Sequence, residues 1–306
     1  MSERTPLVSR RDTLRLLAAA AAGGTLLPRL ASGAPVSTPA RALASVLAPA
    51  RRIARVGLHL GSVRAALRAD IAGTLAAIAD AGVHEVEFTE YLGKAAPWWR
   101  AILREHGLTA PSAHAALPAS DAGWTPLFAH ARAMQHNWLV VASVASNTTF
   151  NTTSRARRNA DWWKRFAARL DRAAKLGAGS GVNVAYHARE LDFARVAGTS
   201  GFEILMAETD PSLVDVELDI YSALAAGQDP LAMLEQWRGR FTGCHVRDMG
   251  PAPARRAVNV GEGTIDFAAI VEKGSASGLR HWFISTADPR NPMESVRVSA
   301  LALSSL

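Results

Sequence analysis

From residue 53 onward, short apolar runs alternate with segments whose apolar residues recur at helical spacing. The runs are Ala54–Leu60, Glu85–Thr89, Ala110–His114, Trp138–Ser143, Val182–His187, Leu213–Asp219, Phe241–Arg247 and His281–Ser285. Their length and β-branched content predict strands. Thr74–Ala81, Trp98–His106, Asp161–Leu176 and Leu231–Trp237 space apolar residues three and four apart, which gives a helix one buried face. Gly82, Gly107 and Gly177 close helical patterns and predict C-caps, where glycine takes left-handed backbone at no steric cost. Asp161 is the expected N-cap of the helix carrying Trp162, Trp163 and Phe166. Eight strand–helix units without a Pro/Ser-rich linker predict one α/β domain, a closed parallel (β/α)8 barrel. In such a barrel the carboxyl ends of the strands open onto one mouth, so residues distant in sequence share a site.

The stretch Ala145–Asn159 is polar and lacks a helical stripe. It follows the fourth strand, so it belongs to the mouth face, either as a substrate lid or as a plain solvent loop.

The 306 residues suit one barrel of about 250 residues plus a leader. Apolar residues make up 49% and charged residues 20%, enough apolar surface for a sizeable core. The net charge of +7 is uneven: residues 1–44 carry +4, leaving +3 for the rest. That modest remainder removes the electrostatic case for nucleic-acid binding, although Arg155, Arg157 and Arg158 form a local cluster. One cysteine, Cys244, excludes an internal disulfide.

Ser9-Arg10-Arg11-Asp12-Thr13-Leu14-Arg15 precedes an apolar run from Leu16 to Leu27. This resembles the twin-arginine export signal of bacteria, with Thr13 where Phe is common. The run is shorter than the roughly 20 residues a bilayer span needs. The resemblance implies residues 1–44 as leader and linker, residues 45–306 as barrel, and the twin-arginine translocation machinery as a partner. The expected location is the periplasm, with a membrane tether if the leader is retained.

Gly57-Leu58-His59-Leu60-Gly61-Ser62-Val63-Arg64, Glu85-Val86-Glu87-Phe88, Pro111-Ser112-Ala113-His114 and the run from Ala207 to Ser222 together resemble the sugar phosphate isomerase/epimerase family, the xylose isomerase-like TIM barrels. The likeness runs from about Val56 to the C-terminus. His59 and Gly61 stand where relatives usually carry Gln and Tyr. Such relatives hold one divalent ion with side chains from the ends of strands five to eight. The resemblance maps this set onto His187, Asp219 and His245, with Ser285 where a Glu is usual. After strand five, Arg189 replaces a second histidine.

Two imidazoles and one carboxylate suit Zn, Mn, Fe or Co better than Mg, which prefers several oxygens. Asp288 could swing in from the loop beyond Ser285; Glu217 lies on the same side of its strand as Asp219, one layer deeper. His187, Glu262 and Asp288 are the candidate catalytic residues, and His59, His114, Arg247 and Asp248 the candidate substrate contacts. His84, His106, His130, His136 and His281 read as structural.

Two glutamates facing each other across the substrate serve the family's epimerases, and both positions differ here. The expectation is metal-assisted proton abstraction from a small carbohydrate or polyol, or related lyase chemistry. The rival is a degenerate barrel that binds a sugar or a partner protein without turnover. A phosphodiester-cleaving relative would need more His and acidic ligands than the chain displays.

Overall fold

The structure, a computed structural model, describes residues 53, 55–144, 158–286 and 290–306. Eight parallel strands close on themselves in the order β1-β8-β7-β6-β5-β4-β3-β2. They are β1 Val56–His59, β2 Glu85–Phe88, β3 Thr109–Leu117, β4 Trp138–Val144, β5 Asn183–Ala188, β6 Val214–Asp219, β7 Phe241–Val246 and β8 His281–Ile284. Around them lie α1 Arg64–Ala69, α2 Ile71–Asp80, α3 Ala96–Glu105, α4 Trp124–Met134, α5 Ala160–Ala178, α6 Gly201–Glu208, α7 Ile220–Ala225, α8 Pro230–Gln236, α9 Phe267–Ala276 and α10 Pro292–Ser304. Among the described residues no helix is long and apolar enough to cross a membrane.

Alternation along the strands explains the two faces. Leu58, Val86, Val184, Val216, Leu218, Cys244 and Ile284 join the core beneath the helices and are all but inaccessible. The other phase points into the barrel, and much of it is polar. At the floor, Trp138 Nε1 donates to Asp215 Oδ2 at 2.6 Å and His281 Nδ1 to Glu85 Oε2 at 2.7 Å. Phe283 fills the middle because Gly57 lacks a side chain: a Cβ there would lie 2.6 Å from its ring.

Caps set the helix ends, two of them differently from the sequence reading. Asn159, not Asp161, caps α5, accepting from Trp162 N at 2.9 Å; Asp161 lies in the first turn. Gly82 and Gly107 take φ of +84° and +68° as C-caps should, but Gly177 lies inside α5. It is needed for close packing instead, since a Cβ would meet Val182 O at 2.6 Å and Phe128 at 2.9 Å.

Candidate active site at the barrel mouth

The inward phase of six strands brings four imidazoles and two carboxylates together. His59 ends β1, Glu87 lies on β2, His114 on β3, His187 on β5, Glu217 on β6 and His245 on β7. Register accounts for their meeting: His59 pairs with Glu87 across β1–β2, His187 with Glu217 across β5–β6, and Asp219 with His245 across β6–β7.

Glu87 is the hub. Its Oε2 accepts from His245 Nε2 at 2.8 Å and His59 Nδ1 at 2.9 Å, with His114 Nε2 at 3.0 Å; Ser112 Oγ donates to Oε1 at 2.8 Å. Glu217 Oε2 lies 3.0 Å from His114 Nε2 and 3.4 Å from His245 Nε2. Both carboxylates are buried, whereas the His59 and His114 side chains keep 15% and 12% of their exposure at the mouth.

The charges sort accordingly. Burial opposes charge on Glu87, but the His114 charge and the imidazole hydrogen bonds outweigh it and hold the carboxyl well below its usual range. Burial and the Glu87 charge push Glu217 up. His114 is raised to about 10: burial works against its proton, and Glu87 and Glu217 overcome that. His245 is raised against burial by Glu217 and Glu87. His59 is lowered to about 3 by burial and the neighbouring His245. His187 is driven well below the usual imidazole range by burial, then by His245 and His114.

His187 differs from its neighbours in one respect. It is buried, yet neither ring nitrogen has a hydrogen-bond partner, and Nδ1 stands 3.9 Å from Glu217 Oε2. An unsatisfied buried polar group costs about 1–3 kcal/mol, which makes this imidazole a candidate for holding a ligand or accepting a proton.

The ion implied by the sequence resemblance can be tested against these contacts. Donor atoms of His187, Asp219 and His245 come within 4.8 Å of one another, a spacing that suits a cation. Charge suits it less. Asp219 Oδ1 caps α7 through Ser222 N at 2.8 Å, and Oδ2 pairs with Arg247 Nη2 at 3.2 Å. A guanidinium beside the set's own carboxylate repels a divalent ion and Ser285 brings no negative charge, so the nearby Glu217 Oε2, 3.4 Å from His245 Nε2, is left to offset it.

The other candidates take varied places. Arg247 also stacks on Tyr221 at 4.5 Å. Asp248 is buried and accepts N–H bonds from Met249, Gly261, Gly263 and Ile265, so its carboxylate anchors the loop after β7 and its bonding capacity is largely used there. Glu262 is exposed on that loop and accepts from Asn259. Asp288, residues 1–44 and the 145–157 part of the expected lid lie outside the described residues. Glu87 is the residue sequence reasoning missed as a site member. Glu85-Val86-Glu87-Phe88 carries part of the family resemblance, but the polar phase of that run reads equally as a solvent face and gives Glu87 no role.

Residues 75–304 match the profile of the xylose isomerase-like TIM barrel family. A curated inosose dehydratase of Geobacillus thermodenitrificans (strain NG80-2) is 30% identical over 145 residues, 41% of this chain and 48% of that protein. The chain thus spans about half the length of that curated relative. Among solved structures, a sugar phosphate isomerase/epimerase from Parabacteroides distasonis ATCC 8503 superposes with TM-score 0.71 at 21% identity, covering 85% of this chain and 97% of the other. The IolI protein with a bound zinc atom superposes with TM-score 0.61 at 14% identity, covering 82% and 98%. At these identities the two structures speak for the fold alone.

Proposed function

The chain belongs to the xylose isomerase-like TIM barrel family, and from that membership and the mouth geometry we propose that it removes a proton beside the carbonyl of a carbohydrate or polyol-derived ketone. The carrying observation is His187, buried and without a partner on either ring nitrogen. Burial keeps it in the neutral form that accepts a proton.

Dehydration suits a single base. The C–H proton passes to His187, and the electron pair left on carbon conjugates with the carbonyl. Expulsion of the hydroxyl one carbon further on follows; it takes the proton back from His187 and leaves as water. Return of the proton to carbon instead gives an epimer or isomer. Ser285, lacking a basic group, makes a second base on β8 the weaker alternative. The partial likeness to inosose dehydratases supports the eliminating branch. We place the reaction outside the cytoplasm on the strength of Ser9–Arg15, with export through the twin-arginine machinery; fractionation of the R10K/R11K variant tests this, retention in the cytoplasm being expected.

Proton–deuteron exchange in D2O, read by NMR on a panel of ketoses and keto-inositols, tests the chemistry. Exchange or enone formation by the wild type, lost in His187→Gln, is expected. A panel that stays unexchanged with and without added Zn or Mn would remove the reading.

One observation favours a second reading, a barrel that binds sugar without turnover. Arg247 pairs with Asp219, the one carboxylate of the implied ligand set, and Ser285 stands where relatives supply another. Calorimetric binding of a panel sugar with no exchange selects it.

A further inference from the structure

We propose that the barrel holds a divalent cation of the imidazole-preferring kind, Zn or Co(II), on His59, Glu87, His114 and His245. This position is separate from the His187–Asp219–His245 group and shares only His245 with it. The proposal is independent of the reaction argued above.

The donor atoms of these four residues all lie within 4.8 Å of one another. Three imidazole nitrogens converge on one oxygen, Glu87 Oε2, at 2.8, 2.9 and 3.0 Å. A tetrahedral ion with bonds of about 2.0–2.1 Å spaces its ligands roughly 3.3 Å apart, so small side-chain rotations open the room required. Three imidazoles and a carboxylate form a set that such ions favour.

Charge separates this group from the one beside Asp219. Among the described residues Glu87 carries its negative charge with no guanidinium or ammonium in its contacts, while Glu217 Oε2 borders both groups, 3.0 Å from His114 and 3.9 Å from His187. At Asp219, by contrast, Arg247 already occupies the cationic position. A divalent ion therefore gains more in the Glu87 group.

The surroundings hold the donors in place. Ser112 Oγ donates to Glu87 Oε1 at 2.8 Å and fixes the carboxylate, as outer partners of metal ligands do. Gly61 leaves space for His59, because a Cβ there would lie 2.6 Å from His59 Nε2. The ligands sit on β1, β2, β3 and β7, all barrel strands, and the partly exposed His59 and His114 face the route of entry.

The full chain, stripped by chelator and titrated with Co(II), tests this through visible absorption, with Zn calorimetry alongside. One equivalent with a tetrahedral spectrum is expected. Affinity should fall at least tenfold in His59→Gln and Glu87→Gln and persist in Asp219→Asn. Loss in Asp219→Asn with retention in His59→Gln would move the ion to the other group and overturn the proposal. No ion bound by the wild type would overturn it too, leaving a hydrogen-bonded His/Glu network. Where a variant fails to fold, X-ray absorption of the wild-type Zn form decides: three imidazoles support the proposal and two overturn it. None of these readouts depends on turnover, so failure here and failure of the proton-abstraction reading remain distinguishable.

Discussion

His245 Nε2 donates to Glu87 Oε2 at 2.8 Å although 158 residues separate them in the chain. The bond crosses the barrel interior from β7 to β2 and is joined at the same oxygen by His59 and His114. A buried carboxylate with this many charged or polar partners cannot be removed cheaply. In metal-free protein, Glu87→Ala should lower stability by about 3–5 kcal/mol, since it strands imidazole charge without its counterion. Urea unfolding at neutral pH measures this, and a loss under about 1 kcal/mol would show the cluster to be solvated.

Asp248 gathers four backbone N–H groups from Met249, Gly261, Gly263 and Ile265 at 2.7–3.0 Å. Hydrogen bonds to a charged acceptor contribute about 1.5–3 kcal/mol each at most, and they are not additive. Asp248→Ala should cost at least about 2 kcal/mol and speed amide exchange at Gly261 and Gly263. Unchanged exchange at both glycines would contradict the anchoring role.

His136 supplies a pH signature away from the mouth. Its Nδ1 donates to Ala110 O at 2.7 Å, and Tyr91 Oη lies 3.0 Å from Nε2. Burial lowers its pKa to about 4 from 6.5, so the folded state binds fewer protons than the unfolded chain between those values. The stabilisation is therefore full above pH 6.5 and is lost as pH falls toward 4, to a total of about 3 kcal/mol. Relative to wild type, His136→Gln should show a shallower loss of stability over that window in urea titrations, and parallel profiles would refute the assignment.

Two glycines that look alike in sequence should fail for different reasons. Gly177→Ala drives a Cβ against Val182 O and the Phe128 ring and should cost about 1–3 kcal/mol by overpacking. Gly82→Ala meets no atom within 4 Å but must hold φ near +84°, a strain of about 1 kcal/mol. Shortening Phe128 to Leu should recover part of the first loss and none of the second, as thermal melts of the double variants would show.

The eight strands, the α/β class and the parallel barrel were legible along the chain because local apolar periodicity and glycine punctuation decide them. Strand ends drifted by a few residues, as at β1, expected at 54–60 and found at 56–59. Asp219 and His245 could be placed at neighbouring strand ends, and the register sets them side by side. Glu217, expected one layer below Asp219 and so the weaker candidate, lies among the mouth imidazoles, 3.0 Å from His114 and 3.4 Å from His245.

Which residues answer one another across the barrel is a different kind of fact. In Glu85-Val86-Glu87-Phe88 the polar phase looks like a solvent face, and only closure of the sheet turns it inward toward His59, His114 and His245. The pairing of Arg247 with Asp219, the use of Asp248 by a loop and the isolation of His187 depend likewise on distances across elements. The sequence by itself therefore determined the elements and their order, since these follow from periodicity within a dozen residues. Tertiary structure decided the partners, because charge and hydrogen bonding act through space at a few ångströms, whatever the separation along the chain.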